Sequence, residues 1–228
     1  MSRKEGRGQS WWDIPVTIAI AVGVVLLLTT FVAKPFSIPS GSMENTLQIG
    51  DRILVNRVVY HLRPIERGDI VVFDGSDSFV PAGSIPERNP LTGAAVWVGQ
   101  SLGFMAPDST DFVKRVIGVG GDRVACCDAD GRVTVNGVPL DESAYLYPGD
   151  APSWQAFDVV VPEGMLWVMG DHRSNSADSR AHLGDPGGGF VPESMVVGRA
   201  MNVLWPIPRL GSLEIPQTFA DIPAGSGS

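Results

Sequence analysis

Hydrophobic residues follow two patterns along this chain, one continuous run near its start and a series of short runs after it. Residues 14–33 form the continuous run, which has no charged side chain and matches the roughly 20 residues that a helix needs to cross a bilayer. The later runs are short, rich in β-branched residues and bounded by glycine, proline or aspartate, which is typical of strands. The predicted strands are residues 52–60, 69–73, 95–98, 112–119, 132–135, 157–161 and 165–169.

Turn residues between these runs favour hairpins. Asp130-Gly131 and Asn136-Gly137 both supply residues that tolerate positive φ, which tight hairpins require. No long amphipathic helix follows the first run. The pattern therefore predicts a mainly β domain over residues 34–217, preceded by one transmembrane helix.

Three segments break the strand pattern. Residues 75–108 contain four prolines and several glycines, so they are predicted to form a long connection with one strand in it. Residues 128–152 form a second excursion, predicted as a small hairpin flap. Residues 218–228 end in Ala-Gly-Ser-Gly-Ser and are predicted to be a flexible tail.

Residues around the first run indicate how it would sit in a membrane. Tryptophans precede it at the position of an interfacial anchor, and the basic residues lie mostly before it, which predicts a cytoplasmic tail over 1–13 and an outward-facing domain. A removable signal peptide would need small residues at its cleavage site, and residues 31–33 do not offer them. We therefore expect a retained single-pass anchor. The flanking residues are Arg3, Lys4, Arg7, Trp11, Trp12 and Lys34.

Composition narrows the class of protein. The chain has 228 residues, 44% of them hydrophobic and 18% charged, which is enough for one sizeable folded domain. A formal net charge of -8 without a basic stripe argues against a nucleic-acid partner. The only cysteines, Cys126 and Cys127, are adjacent, so they are either two packed thiols or a vicinal disulfide. No ligand spacing suggests a metal site, and we expect no cofactor.

Lysine is scarce, and one lysine stands in an apolar strand. Only three lysines occur in the chain, and Lys114 is the one deep in the predicted β domain. With the two-residue period of a strand, Phe112, Lys114 and Val116 share one face while Arg115 points to the other. A lysine held among apolar side chains is driven toward its neutral amine, which can act as a base. The alternative is a strand-edge lysine that extends into solvent.

A serine pair follows the predicted anchor. Ser40-Gly41-Ser42 lies in an extended apolar lead, and Ser42 is nine positions beyond Ala33, at most about 30 Å from the bilayer. Serine and lysine can together form a nucleophile and its base without histidine. A plain turn serine is the alternative for an isolated Ser-Gly-Ser.

A polar cluster at residues 170–180 could support such a pair. Ser176, Asp178 and Arg180 alternate onto one face of an extended segment, where the hydroxyl could orient the lysine and the Asp/Arg pair could brace the loop. Gly99-Gln-Ser-Leu-Gly103 matches the nucleophile motif of α/β-hydrolases, but no helix pattern follows it, so Ser101 is not expected to react.

Together, these clusters resemble the bacterial type I signal peptidases, membrane-anchored Ser/Lys endopeptidases. The resemblance extends from the anchor to Arg180 and is specific because all pieces occur in order and at matching spacing. The matching segments are Pro39-Ser-Gly-Ser-Met43 with Thr46-Leu47, Gly50 to Val55, Arg67 to Phe73, Lys114-Arg115 with Gly120-Gly-Asp122, and Gly170 to Arg180.

The resemblance implies a signal-peptidase-type β-sheet fold and roles for particular residues. It implies Ser42 as nucleophile, Lys114 as general base, the Ser42 amide and Ser40 hydroxyl as oxyanion donors, and an acyl-enzyme route. Ser176 would orient the amine, with Asp178 and Arg180 supporting its loop. The residues implied to bind substrate are Phe36, Ile38, Pro39, Met43, Leu47, Phe112 and Val113.

The resemblance also implies partners and a location. Exported preproteins would be cut at their signal peptides by a domain on the outer face of a bacterial plasma membrane, and the resemblance specifies no oligomeric state. Two positions depart from the family pattern, since Asn45 stands where proline is common and His172 where asparagine is frequent. The rival hypothesis is a membrane-anchored β module for binding or assembly, whose serines and lysine are inert.

Overall fold

The computed structural model of the chain describes residues 13–76, 78–79 and 110–225. In these residues one α-helix precedes twelve strands, and every strand pair is antiparallel. The helix is α1, Asp13–Phe31. The strands are β1 Ala33–Ser37, β2 Arg52–Asn56, β3 Ile70–Asp74, β4 Asp111–Val119, β5 Arg123–Cys126, β6 Val133–Val135, β7 Val138–Pro139, β8 Phe157–Val160, β9 Met165–Met169, β10 Val191–Pro192, β11 Val196–Trp205 and β12 Gly211–Ser212.

The strands form two sheets. The large sheet has the order β1-β2-β11-β3-β4-β9-β10, with β12 paired to β11, and the small sheet has the order β7-β6-β5-β8. The predicted mainly β class is confirmed. In the large sheet β1 is an edge strand and β4 lies between β3 and β9. The Ser40–Ser42 segment, which follows β1, and Lys114, which lies on β4, are therefore both held by this one sheet.

Strand β11 lies at the centre of the large sheet although the sequence pattern did not predict it. Its pairing with β2 and β3 contains register shifts near Gly198, Asn202 and Trp205, so inward and outward positions do not alternate along it. Gly198 itself has no room for a side chain, because a Cβ there would collide with the Asn56 carbonyl oxygen.

Two of the predicted turns and strands can be compared directly with the structure. The hairpin at Asn136-Gly137 is confirmed, since these residues have φ of 52° and 82° and join β6 to β7. The strand predicted at 52–60 is shorter, because the Asn56 side chain accepts the amides of Val58 and Val59 and starts a 3-10 turn. The strand predicted at 95–98, Ser101 and most of the 75–108 excursion lie outside the described residues.

The hydrophobic core is divided between the two sheets. One cluster fills the space between the small sheet and β9 around the fully buried Trp167. A second cluster lies under β1, β2 and β11 and includes Met43 and Leu47 from the segment after β1. These two side chains therefore anchor the Ser40–Ser42 segment to the sheet.

The predicted transmembrane run coincides with α1 over most of its length. The helix ends at Phe31, and β1 begins at Ala33, inside the predicted span of 14–33. Its described apolar side chains, such as Ile14, Ile18 and Ile20, are exposed. Among the described residues, none of the helices combines the length and apolarity needed to span a bilayer.

The end of the chain packs against the domain where a flexible tail was predicted. Phe219 and Ile222 are buried in the first core cluster, and Arg67 donates hydrogen bonds to the carbonyls of Ile222 and Pro223. The prediction for residues 218–225 is therefore corrected: two apolar anchors and an arginine outweigh the glycine-rich composition. Residues 226–228 lie outside the described part.

The two adjacent cysteines form a disulfide in the structure, which is one of the two alternatives left open by the sequence. Cys126 closes β5 and is buried in the first core cluster, while Cys127 is exposed. The excursion that follows, 128–152, contains β6 and β7 and then returns toward the 170–180 segment.

Candidate active site

A short 3-10 turn presents the candidate nucleophile. Gly41–Met43 form this turn directly after Ser40, which has an extended backbone, and all three residues of the turn are buried. The Met43 carbonyl accepts the amides of Thr46 and Leu47, which continues the turn. With Met43 buried in the core, the position of the Ser42 hydroxyl is fixed by the fold.

Strand β4 brings the candidate base to this hydroxyl. Lys114 Nζ lies 2.7 Å from Ser42 Oγ and 3.0 Å from the Val113 carbonyl oxygen. The lysine is only 3% exposed. Burial lowers the pKa of Lys114 from 10.5 to about 8, although the negative charges of Asp178 and Asp171 act in the opposite direction. The structure thus joins a buried amine with a lowered pKa to a serine hydroxyl.

The lysine makes no ion pair within the described part of the chain. Its two hydrogen-bond partners are both uncharged oxygens, one from a hydroxyl and one from a carbonyl. A carboxylate in contact would hold the amine in its protonated form. The site therefore has the electrostatic arrangement that a neutral amine requires.

The 170–180 segment lies beside the serine and the lysine. The amide of His172 donates to the Ser42 carbonyl, 3.1 Å away. Gly170 is needed at this crossing, because a Cβ there would collide with both the Ser42 carbonyl oxygen and Ser176 Oγ. The hydroxyl of Ser176 is buried and lies near the Asp178 carboxyl, whose pKa it helps to lower, and its predicted contact with the lysine amine is not formed in this structure.

Asp178 and Arg180 form the predicted ion pair below this segment. Arg180 Nε and one terminal nitrogen bind the two Asp178 oxygens at 2.9 and 2.8 Å, and both side chains are buried. Burial raises the pKa of the Asp178 carboxyl, but the Arg180 guanidinium more than offsets this, so the pKa is lowered overall. Asp178 also accepts the Gly170 amide at 2.9 Å, which fixes the glycine crossing.

Two further buried ion pairs were not predicted. Arg115 points away from Lys114, as expected, and forms a two-bond pair with Asp171, at 2.8 and 2.6 Å. Arg173 forms a similar pair with Glu142, at 3.0 and 2.5 Å. The position of Asp171 and Arg173 within the 170–180 cluster was the available signal, but their partners are 56 and 31 residues away in sequence.

A cavity of about 210 Å³ opens beside the dyad. Five of the residues implied to bind substrate line it, namely Ile38, Pro39, Met43, Phe112 and Val113. Phe36 and Leu47 do not, which corrects the prediction for them: both are buried in the second core cluster.

Ser40 also lines the cavity, on the side of the nucleophile. Ser40 is exposed and immediately precedes the 3-10 turn. No group of three metal-binding side chains suited to hold an ion occurs within the described residues.

The β fold and the Ser42–Lys114 pair are those expected of a Ser/Lys protease. Comparison with known families identifies which one. A family model described as signal peptidase, peptidase S26, matches residues 11–205. The chain therefore belongs to the signal peptidase family, peptidase S26, as its resemblance implied.

Two sequence relatives from mycobacteria agree with this assignment. The chain is 40% identical over 229 residues to a probable signal peptidase I of Mycobacterium leprae, covering 89% of this chain and 78% of that protein. It is 41% identical over 222 residues to a signal peptidase I of Mycobacterium tuberculosis, covering 87% and 74%. A crystal structure of a signal peptidase I from Enterococcus faecalis V583 is 23% identical, covers 60% of this chain and 97% of that one, and has a TM-score of 0.37.

Proposed function

We propose that this chain is a membrane-anchored serine endopeptidase that removes amino-terminal signal peptides from exported preproteins with a Ser42–Lys114 dyad. The observation that carries this function is the 2.7 Å hydrogen bond between Lys114 Nζ and Ser42 Oγ at a buried position. An amine with a pKa of about 8 is partly neutral near physiological pH and can accept the hydroxyl proton. The substrate class follows from the relatives, which are named signal peptidases.

The reaction needs only the residues of the chain and one water molecule. Ser42 Oγ forms a bond to the scissile carbonyl carbon while its proton moves to Lys114 Nζ. The oxyanion accepts hydrogen bonds from the Ser42 amide and the Ser40 hydroxyl. The carbon–nitrogen bond then breaks, the leaving amine takes the proton from the Lys114 ammonium, and the acyl group remains on Ser42 as an ester. A water gives a proton to the neutral Lys114 amine as its oxygen attacks the ester carbon. The bond from that carbon to Ser42 Oγ then breaks, Ser42 takes the proton back from the Lys114 ammonium, and the signal peptide leaves with a new carboxyl terminus.

The substrate is expected to bind as an added strand. In the described residues β9 pairs with β4 from Arg115 onward, so the preceding residues 112–114 have β3 on one side and the cavity on the other. An extended peptide laid against this part of β4 would place its carbonyl near Ser42. The cavity of about 210 Å³ has room for small side chains, which supports cleavage after a small residue.

Exposed apolar surface supports the membrane location. The described apolar side chains of α1 are exposed, and an apolar patch made of Ile49, Trp205, Ile207 and Leu210 is exposed beside β2. Trp205 is paired with Arg52 of β2, which also pairs with Ser37 of β1, and Arg209 binds Asp51, so the patch lies near the end of β1 that is farther from α1. We therefore infer a single-pass anchor at α1, with its amino terminus cytoplasmic and the β domain on the outer face of the plasma membrane.

A supporting role is proposed for the 170–180 segment. Ser176 would orient the Lys114 amine by rotation of its buried hydroxyl, and the Asp178–Arg180 pair would hold the loop. The Ser176 role predicts that Ser176→Ala weakens cleavage less than loss of Ser42 does, because the lysine keeps its contacts to Ser42 and Val113.

The test is cleavage of a preprotein by the full chain in detergent micelles. Ser42→Ala and Lys114→Met are each expected to reduce the rate by about 1,000-fold or more, because a nucleophile or its base is removed. Ser212→Ala, at an exposed serine of β12, is the matched control and should cleave normally. Cleavage at the normal rate by Ser42→Ala would leave the rival non-catalytic β module as the better account of this fold.

A further inference from the structure

His172 contacts the nucleophile turn at three points. Its amide donates to the Ser42 carbonyl at 3.1 Å. Its ring nitrogen Nδ1 lies 3.2 Å from the Gly41 carbonyl oxygen and 2.9 Å from Glu44 Oε2. Gly41, Ser42 and Glu44 are therefore all tied to one histidine.

The partners of this ring nitrogen fix its protonation. A carbonyl oxygen and a carboxylate oxygen both accept hydrogen bonds and donate none. Since Nδ1 of His172 faces both the Gly41 carbonyl and Glu44, it must carry a hydrogen, which it shares between them. His172 thus has either the Nδ1–H tautomer or the doubly protonated ring, and in both forms it donates to Gly41.

The plane of the ring is held by the second excursion. Tyr147 stacks on His172 with ring centroids 3.8 Å apart and planes 11° from parallel. The Tyr147 amide donates to the Asp171 carbonyl at 2.9 Å, and the neighbouring Leu146 carbonyl accepts the Asn45 side chain at 3.0 Å. Residues 146–147 therefore bridge the nucleophile turn and the 170–180 segment.

The Gly41 carbonyl is linked to the proposed oxyanion donor by covalent structure. The peptide unit between Gly41 and Ser42 is planar and trans, so its C=O and the Ser42 N–H point in opposite directions. Two donors lie on the Gly41 carbonyl, the Glu44 amide at 3.1 Å and the His172 ring at 3.2 Å, and together they set the direction of the Ser42 N–H. They also polarise that N–H, which strengthens the hydrogen bond that it donates.

We infer, on the basis of the proposed proteolytic function, that His172 is a positioning residue that orients the Gly41–Ser42 peptide so that the Ser42 amide meets the oxyanion. Tyr147 and Glu44 hold its ring in this role. His172 does not touch the substrate or the reacting proton, because its ring lies on the carbonyl side of that peptide.

The decisive comparison uses two substitutions of His172 and one matched control. In His172→Phe the ring can still stack on Tyr147, but the side-chain donor to the Gly41 carbonyl is lost and only the Glu44 amide still donates to it. In His172→Asn the carboxamide nitrogen occupies the same position as Nδ1, since both atoms are bonded to Cγ. The control is His182→Phe, because His182 also stacks on an aromatic ring and binds a carboxylate and is similarly exposed, at 17% against 14%.

The full chain in micelles is assayed for preprotein cleavage, with single-turnover acylation and deacylation measured separately. We expect His172→Phe to lower kcat about 10- to 100-fold with little change in KM, because a displaced oxyanion donor weakens both steps. Both single-turnover rates should fall together, while the pH midpoint set by Lys114 stays in place. His172→Asn should recover most of the rate, and His182→Phe should match the unmodified protein.

Three results would overturn the inference. These are a normal kcat in His172→Phe, an equal loss in His172→Phe and His172→Asn, or a changed pH midpoint with an unchanged deacylation rate. A measurement on the unmodified protein guards against a variant that does not fold: ¹⁵N spectra of its three histidines should show a protonated Nδ1 at His172. A bare Nδ1 there would also overturn it.

The same assay separates this inference from the proposed function. If Ser42→Ala still cleaves, the proteolytic function itself fails. If Ser42→Ala is inactive while His172→Phe is fully active, only the positioning role fails.

Discussion

Two kinds of buried cation lie side by side in this domain. Arg115, Arg173 and Arg180 are each at most 2% exposed, and each binds a buried carboxylate through two hydrogen bonds. Lys114, next to Arg115 in β4, is equally buried but binds only a hydroxyl and a carbonyl oxygen. Adjacent positions on one strand thus hold a permanently charged structural cation and an amine that can lose its charge.

The difference shows how one fold can separate structural charge from reactive charge. Arginine keeps its proton at any biological pH and matches a carboxylate with its planar fork, so it suits the paired positions. Among the described residues, no carboxylate contacts Lys114 to offset the free-energy cost of burying its protonated amine. The shift of its pKa from 10.5 to about 8 corresponds to a cost of about 3 kcal/mol. That cost is what makes a base available near neutral pH.

Exchanging lysine and arginine at positions 114 and 115 should have the largest effect on preprotein cleavage. Lys114→Arg keeps a positive charge but cannot lose it, so preprotein cleavage should fall about 1,000-fold or more. Arg115→Lys, the reciprocal exchange at the neighbouring position, should cost much less activity because Lys114 and Ser42 are untouched. Equal losses in both variants, measured as kcat/KM in micelles, would mean that the two cations do not have separate roles.

Breaking a structural pair should cost stability rather than chemistry. Arg173→Met leaves Glu142 buried without its cation and should destabilise the fold by about 3 to 5 kcal/mol in urea unfolding. The double variant Arg173→Met/Glu142→Leu should recover much of this loss. Arg123→Met, at an exposed pair with Asp158, is the control and should unfold as the unmodified protein does. A double variant as unstable as the single one would contradict this assignment.

The unpaired lysine should make stability depend on pH. Because the pKa of Lys114 is lower in the folded state, unfolding takes up a proton between the folded value of about 8 and the ordinary 10.5. Stability from this group therefore rises with pH across that window. Relative to Lys114→Met, the unmodified protein should gain about 2 kcal/mol between about pH 7 and about pH 10. If the difference in unfolding free energy between the two proteins were the same at both pH values, a buried, partly neutral amine at Lys114 would be contradicted.

The smallest expected effect is a shift of the acidic limb of the activity profile. The charge of Asp178 raises the pKa of Lys114 and so opposes the effect of burial. Asp178→Asn should lower the pKa and move the limb to lower pH, by less than about one unit. Thermal unfolding of the same variant checks that it folds. A shift toward higher pH would contradict the electrostatic link between these two groups.

The sequence was most informative where chemistry is local. The motifs around Ser42, Lys114 and Asp178 each lie within a few residues, and their order identified the family before any contact was known. The alternation of β4 also predicted correctly that Lys114 and Arg115 face opposite ways.

Long-range features were not predictable in the same way. The register shifts of β11 interrupt its alternation, so a central strand was missed. The burial of Arg115 depends on Asp171, 56 residues away, and the contact of Tyr147 with His172 depends on how the second excursion folds back. Phe36 and Leu47 were assigned to substrate by the family resemblance. An apolar side chain near a nucleophile can line a pocket or fill a core, and only packing distinguishes the two.

The most direct test of an uncharged amine beside Ser42 is the protonation of Lys114 itself. The chain has three lysines, so ¹³C labelling at Cε gives three signals, and Lys114→Met identifies one of them. In the full chain in micelles, that signal should titrate with a midpoint near the pKa of about 8, well below the ordinary lysine value of about 10.4. A Lys114 signal that titrates near the ordinary value would contradict lysine as the base of this site.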